Sequence, residues 1–291
     1  MNGSIVNDNI AAPRILMCPP DHFGIEYEIN AWMDKNKQAD RPLAINQWRD
    51  LREKLEQAGA SIELIDPVQG LPDMVFTANA GLVFYDEVIL SRFKPEQRRG
   101  EEPLNQAWFE ANGFRVRTLP DDTFFEGAGD ALFCGDTLVA GYRQRSDARG
   151  QQLLGDLLGC HVIPLELVDP HYYHLDTCFC PIEPGVAMYF PGAFDEYGLK
   201  VLRANVKTLI EIDADEATHF AANAVVVGKT IVTNSGCEKM HAKLAAAGYT
   251  PVGTPLSEFV KAGGSAKCLT LRLDGEEAAS WKGSIENRFA G

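Results

Sequence analysis

Absences set the first limits on this sequence. No stretch approaches the roughly 20 consecutive apolar residues of a membrane span. No lysine- or arginine-rich run offers a footprint for a phosphate backbone, and the formal net charge of the 291 residues is −14. Nucleic acid is therefore an unfavourable partner. Seven cysteines fall at spacings that match no disulfide framework, and they read as reduced thiols. The opening MNGSIVNDNIAAPRILM has neither the basic n-region nor the long apolar core of a secretory signal. A cytoplasmic protein follows as the expectation. Linker-like and low-complexity segments are also missing, so one domain is expected over residues 1–291, with its core at about 14–273 and a short polar C-terminal tail.

What is present is a composition 45% hydrophobic and 23% charged, ordinary for a globular chain with a substantial core. An acidic surface attracts cationic small molecules at long range; it also serves plain solubility, and composition does not choose between the two.

The most informative feature is a repeat. PDMVFTANAGLVFYDEVILSRF begins at Pro72, FEGAGDALFCGDTLVAGYRQRS at Phe125, YHLDTCFCPIEPGVAMYFPGAF at Tyr173, THFAANAVVVGKTIVTNSG at Thr218 and KAGGSAKCLTLRL at Lys261. Each has a small or polar opening and a short apolar strand; the first four add a turn of hairpin chemistry and a second strand. Helix-like segments lie between them. LAINQWRDLREKLEQAGA places Ile45, Trp48, Leu51 and Leu55 on one face and ends at Gly59. The segments ending at Gly113 and Gly248 are followed by short strands, RVRTLP and TPVGTP. The unit is hairpin, helix, strand, repeated five times, and radial repetition of such units predicts an α/β-propeller. The last repeat is short of a partner strand, which ILMCPP near the N-terminus would supply.

In a closed radial array the five openings meet at one end of the axis. They hold Asp73 and Asn79, Glu126 and Asp130, His174 and Asp176, His219 and Asn223, and Cys268. A thiol, an imidazole and several carboxylates and amides in one pocket make a plausible set for covalent catalysis. Each has a bland reading too. A lone cysteine is more often a core thiol, Glu126 could be a surface acid, and Asn79 could simply form a turn. The GxG in EGAGDA has no third glycine and opens no helix, which argues against a dinucleotide site. Cys178 with Cys180, and Cys18 with His22, find no further ligands at metal spacing and read as structural, so no metal and no cofactor are expected.

FTANAG, FEGAGDAL, YHLDTCF and KAGGSAKCLTLRL, with LMCPPDHFGIEYEINAWM before them, resemble the guanidine-modifying (pentein) superfamily of arginine deiminases, dimethylarginine dimethylaminohydrolases and amidinotransferases. Within it the chain is most similar to the arginine dihydrolase domain of cyanobacterial arginine-catabolic enzymes, from about Arg14 to Leu273. The resemblance implies a five-bladed pseudo-symmetric α/β-propeller of ββαβ repeats with an axial active site. It implies Cys268 as the nucleophile on a guanidinium carbon, His174 as general acid and base, and Glu126 as the carboxylate that grips guanidinium N–H groups. Arg92 and Arg143 are implied at the substrate α-carboxylate, and Asn30 at the amino-acid end. Asp73 either accepts from the guanidinium or holds its own loop. Asn79 stands where deiminases and dimethylarginine hydrolases typically carry a carboxylate. An amide both donates and accepts, so it could hold a cationic guanidinium first and a neutral ureido group afterwards.

The expected activity is hydrolysis of L-arginine to L-ornithine, ammonia and carbon dioxide. A deiminase or dimethylarginine hydrolase stopping at citrulline, an amidinotransferase, and a non-catalytic small-ligand sensor on the same fold remain the alternatives. The expected partner is a small guanidine substrate, with no nucleic acid and no membrane; self-association is left open.

Overall fold

A computed structural model describes residues 12–284. After strand β1 (Arg14–Met17), helix α1 (Arg41–Gln57) and β2 (Ser61–Leu64), the chain repeats one pattern. β3 (Gly81–Phe84) and β4 (Glu87–Leu90) form a hairpin, followed by α2 (Glu102–Ala111) and β5 (Arg115–Arg117). The next unit is β6 (Ala131–Cys134), β7 (Thr137–Tyr142), α3 (Ala148–Leu158) and β8 (His161–Glu166). Then come β9 (Phe179–Glu183), β10 (Val186–Tyr189), α4 (Glu196–Asn205) and β11 (Thr208–Glu211). A short helix α5 (Ala214–Ala217) leads into β12 (Val225–Val227), β13 (Thr230–Asn234), α6 (Glu238–Ala246) and β14 (Thr250–Thr254). A second short helix, α7 (Ser257–Val260), precedes β15 (Leu271–Arg272).

Each unit makes one three-stranded sheet in which the middle strand pairs antiparallel with the strand before it and parallel with the strand after the helix. The first sheet joins the two ends of the chain. β15 runs antiparallel to β1, Leu16 opposite Leu271, and β1 runs parallel to β2. The five sheets bear out the five-bladed α/β-propeller expected from the repeat, and Arg14–Met17, within the segment expected, does supply the strand the last repeat lacks.

Local chemistry places the helices. Asp40 caps α1 by accepting from the Leu43 amide at 3.0 Å, and Pro42 occupies the first turn, where a missing N–H costs nothing. Trp48, Leu51 and Leu55 turn inward as their spacing implies, joined by Ala44 and Gln47, while Ile45 is only partly covered. Gly59 ends the segment at φ +100°, a conformation that favours glycine. No helix among the described residues is long and apolar enough to cross a membrane.

One expectation needs correction. Residues 275–284 are polar in sequence, yet they are not a loose appendage. Trp281 is buried among Phe84, Tyr85 and Phe133, and Ala278 is fully enclosed. Gly135 donates to Ala278 O at 2.7 Å and accepts from Ser280 N at 3.1 Å, so this strap is stitched to the turn between β6 and β7. A single tryptophan outweighs the polarity of its neighbours because burying its side chain removes so much apolar surface from water.

Candidate active site

Short 3₁₀ turns stand in front of three of the hairpins, at Pro72–Val75 and Thr77–Ala80, Gly127–Gly129, and Leu175–Thr177. They turn the chain inward just before each first strand, so the polar residue of each opening faces the axis. Hydrogen bonds then link all five openings into a ring. Asn79 Nδ2 donates to Glu126 O at 3.2 Å. His174 Nε2 lies 2.7 Å from Glu126 Oε2. Asn223 Nδ2 donates to Asp176 O at 3.0 Å and to Cys268 Sγ at 3.1 Å. The Ala78 amide closes the circle on Cys268 O at 3.1 Å.

Cys268 is nearly inaccessible and is held on three sides. Its amide donates to Asn223 Oδ1 at 3.1 Å, its sulfur accepts from the same side chain, and its thiol donates to Asp176 Oδ2 at 3.4 Å. Burial and then the Asp176 carboxylate push the thiol well above its ordinary range. At rest it is protonated, and a cation beside it is what would release the proton. Glycine makes room in the approach: a side chain at Gly264 would strike the Phe76 ring.

His174 is held by one carboxylate, that of Glu126. Glu126 is fully buried; burial alone would raise its carboxyl, but Arg145, His174 and Arg98 outweigh it and hold it at about 2. An ionised carboxylate only accepts, so the proton between them sits on His174 Nε2. Nδ1 is buried with no hydrogen-bond partner among the described residues, and such an atom can exchange protons with a ligand. Glu126 also accepts from Arg145 Nη1 at 2.9 Å and, more weakly, from the Lys94 amide at 3.3 Å. In the free protein its nearest guanidinium is thus Arg145.

The charges in the enclosed region do not balance. Asp73, Glu101, Glu126, Asp130 and Asp176 are buried there with Arg98, Arg145 and Lys267 as the buried cations. Burial raises Asp73, pushes Asp130 to about 6 and pushes Asp176 to about 7. Among the described residues neither Oδ1 of Asp73 nor Oδ1 of Asp176, both buried, has a well-formed hydrogen bond, although the Tyr27 hydroxyl lies near enough to Asp73 to lower its carboxyl. Buried carboxylate oxygens are normally satisfied, and a planar cation with several N–H donors fits both their charge and their empty acceptors.

Comparison with known proteins agrees with that chemistry. Residues 19–274 match the model of the family described as N,N dimethylarginine dimethylhydrolase, eukaryotic. The chain belongs to this family. It is also 47% identical over 265 residues to the bifunctional arginine dihydrolase/ornithine cyclodeaminase ArgZ of Synechocystis sp., covering 89% of this chain and 37% of ArgZ. It is 38% identical to the N(G),N(G)-dimethylarginine dimethylaminohydrolase of Mycobacterium tuberculosis, over 89% of this chain and 85% of that protein. Among solved structures, the N-terminal domain of ArgZ, a cysteine-to-serine mutant bound to substrate, superposes with a TM-score of 0.88 at 46% identity, covering 92% of this chain and 99% of that one. The chain spans well under half the length of the bifunctional relatives it matches.

Membership in the dimethylarginine dimethylhydrolase family accords with the ring of openings, but several expected residues are placed differently from the sequence reading. Asn79 is already committed: its Oδ1 accepts from Arg98 Nη1 at 2.9 Å while its Nδ2 bonds Glu126 O, leaving one N–H and one lone pair. Asn30 fastens its own loop, donating to Ala262 O and accepting from the amides of Trp32 and Met33. Arg92 and Arg143 are partly exposed and pair with Asp121 and Glu166 at the surface. Each guanidinium keeps further N–H groups beyond those bonds, so an α-carboxylate could bind beside those acids or replace them. The buried arginines beside Asn79 and Glu126 are instead Arg98, bidentate to Glu101 and bonded to Asn79, and Arg145, bonded to Glu126 and lying over Tyr173. His219, in the fourth opening, is exposed and turned to Asp215 O. Asp176 and Asn223, present in the openings but given no role by sequence, are the direct partners of the thiol.

Proposed function

We propose that the protein is an arginine dihydrolase: L-arginine and two waters give L-ornithine, two ammonia and carbon dioxide. The observation that carries the reading is the thiol and imidazole facing an enclosure with excess buried carboxylate, in a chain 46–47% identical to two arginine dihydrolase relatives. On this reading the chain acts as one catalytic unit on a small guanidine substrate in the cytoplasm.

The guanidinium sits between Asp73 and Asp176, whose unpartnered oxygens accept its N–H groups. Its positive charge favours the thiolate: the Cys268 proton passes to His174 Nδ1, and the thiolate adds to the guanidinium carbon. His174 Nδ1 protonates the departing nitrogen, and the C–N bond breaks to release ammonia. The C–S bond now links enzyme and substrate. His174 then takes a proton from water, whose oxygen adds to the same carbon; the C–S bond breaks and citrulline remains. A second addition of Cys268 to the ureido carbon expels the second ammonia, and hydrolysis leaves a carbamate that falls to ornithine and carbon dioxide. Nucleophile and proton carrier both come from side chains, so turnover is expected to survive dialysis against a strong chelator. Loss of activity restored by zinc would replace this mechanism with a metal-water one.

Asn79 provides the test of the second half of the reaction. In Asn79→Asp one carboxylate oxygen keeps Arg98, and the other faces Glu126 O at the place where an N–H now donates. The ring loses a bond and gains a repulsion next to the reacting group, worth about 1–3 kcal/mol or roughly 5–150-fold in partitioning. The wild type should release ornithine and the variant mainly citrulline, read as the product ratio at equal arginine turnover. Citrulline alone from the wild type would make the enzyme a deiminase. Turnover of dimethylarginine in preference to arginine would make it a dimethylaminohydrolase.

A further inference from the structure

Gly129 closes the 3₁₀ turn of the second opening, and it is buried. Its φ lies outside the left-handed region that Gly127 enters at +62°, so that freedom is not why glycine stands there. Space is the reason. A Cβ built on Gly129 would overlap Asn79 Nδ2 and come to 3.4 Å from His174 Nδ1, an ordinary contact distance. The room a methyl would take is therefore the room the Asn79 amide nitrogen already fills, beside the unpartnered imidazole nitrogen.

The turn cannot step back from that contact, because it is fastened at both ends. Glu126, before it, accepts from Arg145 Nη1 at 2.9 Å and lies 2.7 Å from His174 Nε2. Asp130, after it, accepts from the Leu175 amide at 3.1 Å and from Ser146 Oγ at 2.6 Å, while its own amide donates to Gly127 O at 3.1 Å. The Asn79 side chain has the weaker hold. Its Nδ2 bond to Glu126 O is 3.2 Å long, and rotation about the side chain's own bonds would break it without moving backbone.

We propose that Gly129 is a specificity-determining residue: its missing side chain lets the Asn79 amide stand against Glu126 O and close to His174 Nδ1, and so decides whether the bound group is hydrolysed a second time. The inference rests on the dihydrolase reading and on the role given there to Asn79. Gly129 supplies no reacting atom; it acts through Asn79 by the space it leaves. With alanine at 129 the amide turns away, and the N–H that Asn79 keeps free turns with it. The guanidinium is still held by its charge among buried carboxylates. The neutral ureido group has no such charge and depends most on that contact. The first hydrolysis is slowed, and the second is largely lost.

Four proteins test this: the wild type, Gly129→Ala, Asn79→Ala and the double variant. They are compared for kcat/KM in ammonia release and for the ornithine-to-citrulline ratio at equal arginine turnover. Gly129→Ala should lower both the ratio and kcat/KM by about tenfold. In the double variant the methyl enters space that the truncated side chain has vacated, so adding Gly129→Ala to Asn79→Ala should change kcat/KM by less than about twofold. A Gly129→Ala variant with the wild-type ratio and rate overturns the proposal. Losses that multiply in the double variant, as packing unrelated to Asn79 would give, also overturn it. Where Gly129→Ala alone yields no folded protein, Asn79→Ala and the double variant decide: equal kcat/KM supports the proposal, and a further loss of about tenfold overturns it. The rate comparison holds for whichever guanidine the wild type turns over. Non-multiplying losses with citrulline as the sole wild-type product would keep Gly129 as the residue that makes room for Asn79 and remove the dihydrolase reading; ornithine formation with multiplying losses would do the reverse.

Discussion

Cys268→Ser should abolish turnover, by about 10³-fold or more, while arginine still binds. The exchange is nearly isosteric. Asn223 can donate to a hydroxyl as it does to the sulfur, and its bond from the residue 268 amide does not involve the side chain. The carboxylates that would hold the guanidinium, Asp73 and Asp176, are untouched. What disappears is a nucleophile whose proton can be drawn off by a neighbouring cation. A thiol raised by burial still lies within reach of that influence, whereas a serine hydroxyl has no base bonded to it other than Asp176, pushed to about 7 by its own burial. Ammonia release gives the rate, and calorimetric titration with arginine gives the affinity. Ammonia release within a few fold of the wild type would end the covalent mechanism. Loss of binding along with rate would mean that the thiol shapes the pocket and does not only react in it.

The candidate residues Glu126, His174 and Cys268 were legible because each stands at the opening of a repeated apolar hairpin, and the repeat fixes the topology. Once five hairpins are laid around an axis, Glu126, His174 and Cys268 have to converge. Residues acting through tertiary contact were not legible. Arg98 lies in KPEQRRGEE, which in sequence is indistinguishable from a solvated charge run; its burial comes from Glu101, Asn79 and the Asp73 carbonyl gathering around it. Arg143 and Arg145 sit in GYRQRS, two residues apart, and strand alternation would place them on one face. The chain leaves β7 at Tyr142, and Arg143 takes φ +97°, a left-handed turn that breaks the alternation and sends Arg145, not Arg143, into the pocket. Asn223 and Asp176 were visible in the openings, but nothing in their neighbours marked them as the residues that grip the thiol. Lys267 and Glu276 lie nine residues apart across a strand, and only the docked strap shows them to be a pair.

Glu126→Gln should lower kcat by about 10²–10⁴-fold and also destabilise the fold. Two effects act at one atom. The carboxylate that accepts from His174 Nε2 and orients the ring is lost, so Nδ1 is presented less well to the departing nitrogen. Arg145, buried against Glu126 Oε2 at 2.9 Å, also loses its counter-charge, and an uncompensated buried guanidinium costs roughly 3 kcal/mol even where an amide oxygen replaces the carboxylate. The pH dependence separates the two effects. Glu126 is held at about 2, below the ordinary carboxylate value near 4.5. Its ion pairs therefore contribute stability that is complete above about pH 4.5 and is lost as the pH falls through the folded value near 2. In the wild type this acid-side loss should appear as a falling melting temperature between those limits, and in the variant that part of the slope should be missing. Over the neutral range Glu126 stays ionised, so the fall in kcat should hold steady with pH and not be recovered at either end. A variant with the wild-type acid limb and an unchanged rate would show that His174 needs no anionic partner and that the buried triad with Arg145 is structural alone.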